Sequence, residues 1–487
     1  MIPSALAERL YNRAAMKTLF CASVSAALLT ISLAAQPPLF TTAMPKEEFA
    51  ARRARVMEQI GDGIVVMQGA TETAAYEKFR QSTQFYYLTG VETPRAILTI
   101  DGKSKTTTLY LNPTNERMER TEGPLLGPGA QAEALTGIEH VAPRDEFLKV
   151  TPTLGGRTVY TTFRGETGEA GTPDREAAHA AARKADPWDQ RPSREDWFMT
   201  RLREKAPGVE FKNLDPILDT MRTIKSPREI ALLRESSRLA GVAMMEAMRA
   251  AHPGMYEYEI EAIGDYVFKS HNAFGPAYFA LVAAGRNAAW PHYHAAQAQL
   301  KDGDLVLFDY APDYQYYTSD VTRMFPANEH FSPDQRELYG IYVRLYQAIM
   351  TSIRPGKATD ILADAVKKMD AAMTSYRFTN PKNREAAARF VDGYRSRISN
   401  PRASLGHMVG LETHDVAAGF DGEYKPGMVF TIEPALTIPD DRVYIRLEDM
   451  LLITPAGYEN MSSFVPVDPD AIEKLMAEEG MAAGRKR

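Results

Sequence analysis

The 487-residue sequence has a single cysteine, Cys21, and this scarcity excludes several kinds of site. One cysteine cannot form an intramolecular disulfide or a zinc site built from several thiolates. An excess of positive charge is also missing, because 57 Lys and Arg are set against 63 Asp and Glu. Proteins whose main partner is nucleic acid usually carry an excess of basic residues, so we expect no nucleic-acid partner for this protein. Any bound metal must therefore be held by Asp, Glu and His.

The N-terminal region has the pattern of an export signal. Residues 19–33 form an uncharged, mostly apolar run that follows Lys17 and precedes the small residues Ala34 and Ala35. A basic start, a short apolar segment and small residues are typical of a secretory signal peptide. The run is shorter than the roughly 20 apolar residues that a permanent transmembrane helix needs. We expect residues 1–35 to be a signal peptide, with no permanent membrane span and with export to the periplasm or secretion.

Beyond residue 45 the hydrophobic pattern alternates between helix and strand signals, which predicts an α/β (α+β) fold. A change of pattern near Asp215 divides the chain into two predicted domains, at residues 45–215 and 216–465. The Asp101-Gly102-Lys103 turn predicts a β-hairpin. The other predicted elements are helices at 48–60, 175–184, 194–205, 227–250 and 257–270, and strands at 63–67, 85–88, 96–100 and 107–111.

Two segments of the second domain repeat one pattern. In each segment a turn glycine, Gly303 or Gly427, precedes a carboxylate at the end of an apolar run by six residues. A return strand follows each time and carries another carboxylate. The repetition predicts two copies of one α/β unit, each offering two carboxylates from neighbouring strands. The four carboxylates are Asp309, Asp320, Glu433 and Glu448.

These carboxylates favour a metal centre. A carboxylate at the end of an apolar strand is costly to bury unless it is paired or binds a metal. Four of them in matching pairs, with His407 nearby in the sequence, favour a two-metal site in which two ions activate a shared water. Oxygen ligands with one imidazole favour Mn²⁺, with Zn²⁺, Co²⁺ and Fe²⁺ as alternatives. For any single position, an ordinary surface residue at a strand end is the competing interpretation.

The same residues resemble those of the pita-bread metallopeptidases, the family that includes aminopeptidase P and prolidase. The resemblance rests on LFDYAPDYQYYTSDVTRMFP (307–326), GHMVGLETHD (406–415), KPGMVFTIEP (425–434) and YIRLEDMLLIT (444–454). It extends upstream to RTIKSPREIALLR (222–234), and FRQSTQFYYLTGVETPRAIL (79–98) looks like the aminopeptidase P accessory domain. The implied architecture is a C-terminal pita-bread catalytic domain of two pseudo-symmetric α/β halves, preceded by an N-terminal α/β accessory domain.

The resemblance also implies a role for each matching residue. Glu433 would accept a proton from the attacking water, besides binding metal. His292 and His414 would bind the substrate and stabilise the tetrahedral intermediate. Arg446 would orient the carboxylate of Glu448. The implied ligands of two divalent ions, with Asp320 and Glu448 shared between them, are Asp309, Asp320, His407, Glu433 and Glu448.

The implied activity is hydrolysis of an Xaa-Pro peptide bond, with removal of the N-terminal residue that precedes proline. An Xaa-Pro dipeptidase and a proline-specific carboxypeptidase are the alternatives within the family. A pita-bread protein without peptidase activity is a further alternative, but such relatives lack the ligand set that is complete here. The resemblance also implies that the partners are proline-containing peptides. It further implies that the protein forms a homodimer or homotetramer. Two departures are Ala311, where the family usually has glycine, and Ala403-Ser404, where it has His-Gly.

Overall fold

The computed structural model describes residues 39–72, 76–165 and 173–481 of the chain. The predicted signal peptide at residues 1–35 lies outside the described residues. Within those residues, no helix is both long enough and apolar enough to cross a membrane. Helices and strands alternate along the whole described chain, which confirms the predicted α/β fold.

The N-terminal part of the chain is built on one mixed, six-stranded sheet with strand order β4-β3-β2-β1-β5-β6. The predicted hairpin is present, because β2 and β3 pair in antiparallel fashion with Ile97 opposite Tyr110. The strands are β1 Ile64–Gln68, β2 Ile97–Asp101, β3 Thr106–Leu111, β4 His140–Pro143, β5 Thr158–Thr161 and β6 Glu210–Asn213. The helices are α1 Lys46–Ile60, α2 Thr83–Thr89, α3 Glu116–Glu122, α4 Ala130–Thr136, α5 Glu146–Val150, α6 Pro173–Ala185 and α7 Arg194–Lys205.

One prediction in this part is wrong, since residues 85–88 form helix α2 and not a strand. A short apolar run cannot distinguish a buried strand from a buried helix by periodicity alone. All seven residues of α2 are buried, so the helix is surrounded on every side and shows no polar face. Gly90 follows it with φ 66°, a left-handed conformation that glycine adopts without steric cost and that ends the helix.

The C-terminal part begins with long helices whose starts are encoded locally. Ser226 and Glu229 form a reciprocal capping box at the start of α9, where Pro227 occupies the first turn. The predicted boundary near residue 215 coincides with the start of α8; the division into domains at 216 stays a prediction. The helices are α8 Asp215–Thr223, α9 Pro227–Ala250, α10 Glu257–Ser270, α11 Pro333–Met350, α12 Ala358–Ser375, α13 Pro381–Arg397 and α14 Pro469–Met476.

The repeated sequence pattern corresponds to two three-stranded antiparallel sheets, ordered β12-β9-β8 and β15-β18-β19. An isolated bridge between Thr322 and Glu448 joins one sheet to the segment that leads into the other. The strands are β7 Gly275–Pro276, β8 Leu281–Ala284, β9 Leu305–Asp309, β10 Pro312–Tyr314, β11 Tyr317–Thr318, β12 Thr322–Pro326, β13 Gly356–Lys357, β14 Glu423–Tyr424, β15 Val429–Ile432, β16 Ala435–Ile438, β17 Val443–Arg446, β18 Asp449–Thr454 and β19 Gly457–Asn460.

Buried polar contacts connect the N-terminal part to the short strands β10 and β11. The Arg80 guanidinium lies 2.6 Å from the Asp313 carboxylate, and both side chains are only 3% exposed. The Tyr86 ring stacks on Tyr316 with 3.5 Å between the ring centroids. The Tyr316 hydroxyl accepts a hydrogen bond of 2.9 Å from the backbone N–H of Gln81. These contacts fix the N-terminal part against the segment that connects Asp309 to Asp320.

We predict that Arg80→Met lowers the free energy of unfolding by about 3–5 kcal/mol, because it leaves the Asp313 carboxylate buried without its partner. Urea unfolding followed by circular dichroism measures the change. Arg234→Met is the matched control, since the Arg234–Glu459 pair is 48% and 36% exposed. Exposed pairs contribute about 0.2–1 kcal/mol. Equal and small losses in both variants would contradict this account of the interface.

Candidate active site

The paired sheets bring the four predicted carboxylates together by their register. Asp309 is the last residue of β9 and lies opposite Thr322 of β12, two residues after Asp320. In the other sheet, Glu433 directly follows β15 and Glu448 directly precedes β18. Each antiparallel strand pair therefore presents its two carboxylates at the same end, as the repeated sequence pattern predicts.

Thr322 connects the two halves at this point. Its hydroxyl donates a 2.7 Å hydrogen bond to the Glu448 carboxylate. The backbone N–H of Glu448 donates to the carbonyl oxygen of Thr322 at 3.0 Å. The neighbouring Arg323 is fully buried and donates to the Asp449 carboxylate at 2.6 Å. Thr322, in the opposite half, therefore binds both the side chain and the backbone of Glu448.

Three overlapping groups of side chains have ligand atoms that lie within 4.8 Å of one another. Glu448 belongs to two of the groups, and so do Asp320 and His407. All five predicted metal ligands are therefore brought together, with His414 beside them. The groups are Asp309, Asp320 and Glu448; His407, Glu433 and Glu448; and Asp320, His407 and His414.

The His407 imidazole fits a metal ligand. Its Nδ1 lies 3.1 Å from the carbonyl oxygen of Met408, which can only accept, so Nδ1 carries a proton and Nε2 is the atom that a metal would bind. Nε2 is buried without a hydrogen bond, 3.4 Å from Glu433, 3.5 Å from Asp320 and 3.8 Å from Glu448. These separations leave room for a cation at the usual metal–ligand distance of about 2.0–2.2 Å. The donor set suits a divalent ion.

The pKa values of the four carboxylates show that it is unfavourable to charge all of them at once. Burial and the Glu448 charge raise the pKa of Glu433 to about 7. Burial raises the pKa of Asp309 to about 6, although the charge of Arg446 opposes the rise. Burial, with the Glu448 charge next, raises the pKa of Asp320 well above its usual value. Burial opposes ionisation of Glu448 as well, but His407 and Arg446 outweigh it and hold the pKa at about 2. Without a cation, the carboxylates resist being charged together.

Two further side chains contact the carboxylates. The Tyr278 hydroxyl lies 2.6 Å from Asp309 and 2.7 Å from Asp320, close enough to donate to either carboxylate. The role of Arg446 in orienting Glu448 stays a prediction, and its charge helps to lower the pKa of that carboxylate. The Arg446 guanidinium also contacts the Asp309 carboxylate directly and lies 3.5 Å from Glu433. The cause is the register of β17, which places Arg446 opposite Ala435, two residues beyond Glu433.

His292 and His414 lie in the same cavity of about 400 Å³ as the carboxylates. The His414 ring packs against His407 with 4.0 Å between centroids. His292 Nδ1 lies 3.2 Å from an Arg175 amino group of α6, which can only donate, so His292 carries its proton on Nε2. Burial, followed by the charges of Arg175 and Arg446, lowers the pKa of His292 and favours its neutral form.

Some residues at the site were not found from the sequence. Tyr278 and Arg175 belong to no motif, and only the folded chain brings them to the carboxylates. Thr322 carried a signal that could have been used, because it follows Asp320 by two positions and so points to the same side of the strand. Ala403, which replaces the family's histidine, is buried in the hydrophobic core at 3% exposure.

We predict that binding of Mn²⁺ to the metal-free protein releases protons, and that release falls as the pH rises from 6 to 8. At pH 6, Glu433, with a pKa of about 7, is mostly protonated, and Asp309, with a pKa of about 6, is about half protonated. Both must lose these protons to bind metal. Metal affinity therefore falls as the pH falls. Calorimetry in two buffers of different ionisation enthalpy measures the release. Glu433→Gln should reduce it at pH 6; binding without proton release there contradicts the prediction.

Comparisons with known proteins agree with this geometry. Residues 231–455 match metallopeptidase family M24, and residues 49–160 match the aminopeptidase P N-terminal domain. The Xaa-Pro aminopeptidase of Escherichia coli K12 is 30% identical over 452 residues, 88% of this chain and 98% of the relative. The Xaa-Pro dipeptidase of Pyrococcus horikoshii is 32% identical over 270 residues, 54% of this chain and 70% of the relative.

A solved structure shows the same relationship in three dimensions. Proline aminopeptidase P II from Yersinia pestis aligns with a TM-score of 0.71 at 29% identity, covering 89% of this chain and 100% of that chain. The M24 match includes all five predicted ligands, and M24 metallopeptidases bind divalent metals. The chain therefore belongs to the aminopeptidase P family of M24 metallopeptidases, and it is a metal-dependent hydrolase with a pita-bread domain preceded by an N-terminal domain.

Proposed function

We propose that this protein cleaves the Xaa-Pro bond of peptides and removes the N-terminal residue that precedes proline. The observation that carries the proposal is a complete set of five metal-type ligands, four of which line a cavity of about 400 Å³. The E. coli Xaa-Pro aminopeptidase, matched over nearly its whole length, supports this choice. The Pyrococcus horikoshii relative supports an Xaa-Pro dipeptidase as the second candidate.

The chemistry of the Xaa-Pro bond explains the need for a dedicated site. Proline has no backbone N–H, and its ring fixes φ near about −65°. Proteases that bind substrates as an added β-strand lose a hydrogen bond at this position. A closed cavity that holds the ring itself and presents the preceding carbonyl to an activated water avoids this requirement.

We propose that the site holds two divalent ions, with Mn²⁺ preferred and Zn²⁺, Co²⁺ or Fe²⁺ as alternatives. The overlap of the ligand groups supports two ions, because Asp320 and Glu448 each belong to more than one group. A mostly oxygen donor set with the single imidazole of His407 supports a hard ion. Such ions polarise a carbonyl and lower the pKa of water.

The side chains around the metal ligands would then move and hold protons. Glu433, which borders the cavity beside His407 and Arg446, would accept the proton of the attacking water. His292 presents an N–H on Nε2 and would donate to the substrate carbonyl as negative charge develops there. His414, packed on His407, would bind the substrate beside it. Arg446 would hold Asp309 and Glu433 in place.

The proposal includes export and self-association. The apolar run at residues 19–33 and the absence of cysteine after Cys21 support an enzyme that works in the periplasm or outside the cell. Its partners would be proline-containing peptides and further copies of the chain, in a dimer or tetramer, without nucleic acid. Sequencing the N-terminus of the mature protein tests export, because a start at or before Met16 would contradict it.

We predict that the Mn²⁺-loaded protein releases free alanine from Ala-Pro-Ala. A mass-spectrometric time course offers this tripeptide together with Ala-Pro and an N-terminally blocked peptide that ends in Ala-Pro. Cleavage of Ala-Pro alone would identify a dipeptidase, and loss of proline from the blocked peptide a carboxypeptidase. Cleavage of none of the three, with metal bound, would contradict the proposed function.

We predict that Glu433→Gln lowers kcat by at least about 100-fold, because the general base is lost and a metal ligand is weakened. The rate of alanine release and the Mn²⁺ content are measured in parallel. Glu423→Gln is the control, since Glu423 is an exposed glutamate on β14, outside the cluster. Unchanged turnover in Glu433→Gln would exclude the role of Glu433 in the reaction.

A further inference from the structure

An arginine from the N-terminal part of the chain reaches the catalytic cavity. Arg175 and Glu176, near the start of α6, line this cavity together with the metal-type ligands. The contact of Arg175 with His292 Nδ1, at 3.2 Å, fixes where its guanidinium lies. The cavity is therefore bounded by both parts of the chain, and a substrate in it can meet side chains of α6.

The Arg175 charge is available to a ligand. The other cavity guanidinium, Arg446, is already engaged by Asp309 and Glu433. Within residues 39–72, 76–165 and 173–481, no carboxylate lies within ion-pair distance of Arg175, and the side chain is exposed. A guanidinium presents five N–H donors in a planar fork that matches a carboxylate. The contact with His292 leaves most of these donors free to bind a ligand.

We propose that Arg175 binds the terminal carboxylate of short peptide substrates and so favours free-acid peptides of a few residues. This inference rests on the proposed function, since it concerns the same cavity. A cavity of about 400 Å³ is near the lower end of the roughly 300–1,000 Å³ range of small-molecule sites, which suits a short peptide. Because Arg446 is engaged by Asp309 and Glu433, Arg175 is the cavity guanidinium whose positive charge a peptide carboxylate would meet.

Glu176 provides an internal comparison. Adjacent residues on a helix do not face the same direction, so Glu176 meets a different part of the cavity from Arg175. A negative charge there cannot bind a carboxylate. Lys184 is an exposed cation near the end of the same helix and is not among the residues that line the cavity. Variants of these two residues separate the Arg175 charge from the placement of α6 and from the net charge of the protein.

The experiment compares Ala-Pro-Ala with its C-terminal amide as substrates of the Mn²⁺-loaded protein. Calorimetry compares Pro-Ala with Pro-Ala amide as ligands of the same protein. We expect the wild type to prefer the free acid about tenfold in kcat/KM and in Kd, as one charge-assisted contact provides. Arg175→Gln should bring both ratios close to one. Glu176→Gln and Lys184→Gln should keep the preference for the free acid.

The ratio of kcat/KM for the free acid to kcat/KM for the amide does not depend on how much of a variant is folded. Partial unfolding of a variant therefore leaves this ratio unchanged. Equal use of acid and amide by the wild type would overturn the inference. So would a preserved preference in Arg175→Gln, or an equal loss in Lys184→Gln. Absence of cleavage combined with Arg175-dependent binding of Pro-Ala would refute the proposed function and support the role of Arg175.

Discussion

The crowding of four carboxylates, three of them buried, into one site is the constraint on which the rest of this structure depends. Mutual repulsion and burial raise the pKa of Asp309, Asp320 and Glu433, and ionisation is favoured only at Glu448. Divalent cations remove this cost, because they compensate the charges that burial opposes. The metal-binding chemistry and the fold are therefore coupled, and the protein gains stability from the ions that make it active.

The fold withstands this repulsion through rigid contacts behind the carboxylates. Arg323 is fully buried between the two sheets, and it binds Asp449 together with the carbonyl oxygen of Glu448. Thr322 binds the Glu448 side chain across the same junction. Removal of the Arg323 charge would leave the Asp449 carboxylate buried without a compensating positive charge. The two halves are thus joined at the point where each contributes its carboxylates, which keeps the ligand atoms at fixed separations.

The sequence was sufficient for the features that follow from local pattern. The ends of helices α9 and α10 and the hairpin of β2 and β3 agree with prediction, because caps, turns and periodicity act over a few residues. The four carboxylates could be proposed because each pair lies at the adjoining ends of two neighbouring strands, whereas the full set with His407 was implied by the family resemblance. Helix α2 was mispredicted, since its burial comes from distant residues. The contacts of Tyr278, Arg446 and Arg175 also depend on tertiary structure, and no spacing in the sequence encodes them.

The central claim is that the carboxylate cluster is a two-metal centre shared by both halves of the domain. Anomalous diffraction from crystals grown with Mn²⁺ tests it directly. We predict two anomalous peaks within the cluster, both beside Asp320 and Glu448, with His407 contacting one of them. A single peak, or peaks outside these side chains, would contradict the claim and would require a different explanation for the clustering of four carboxylates.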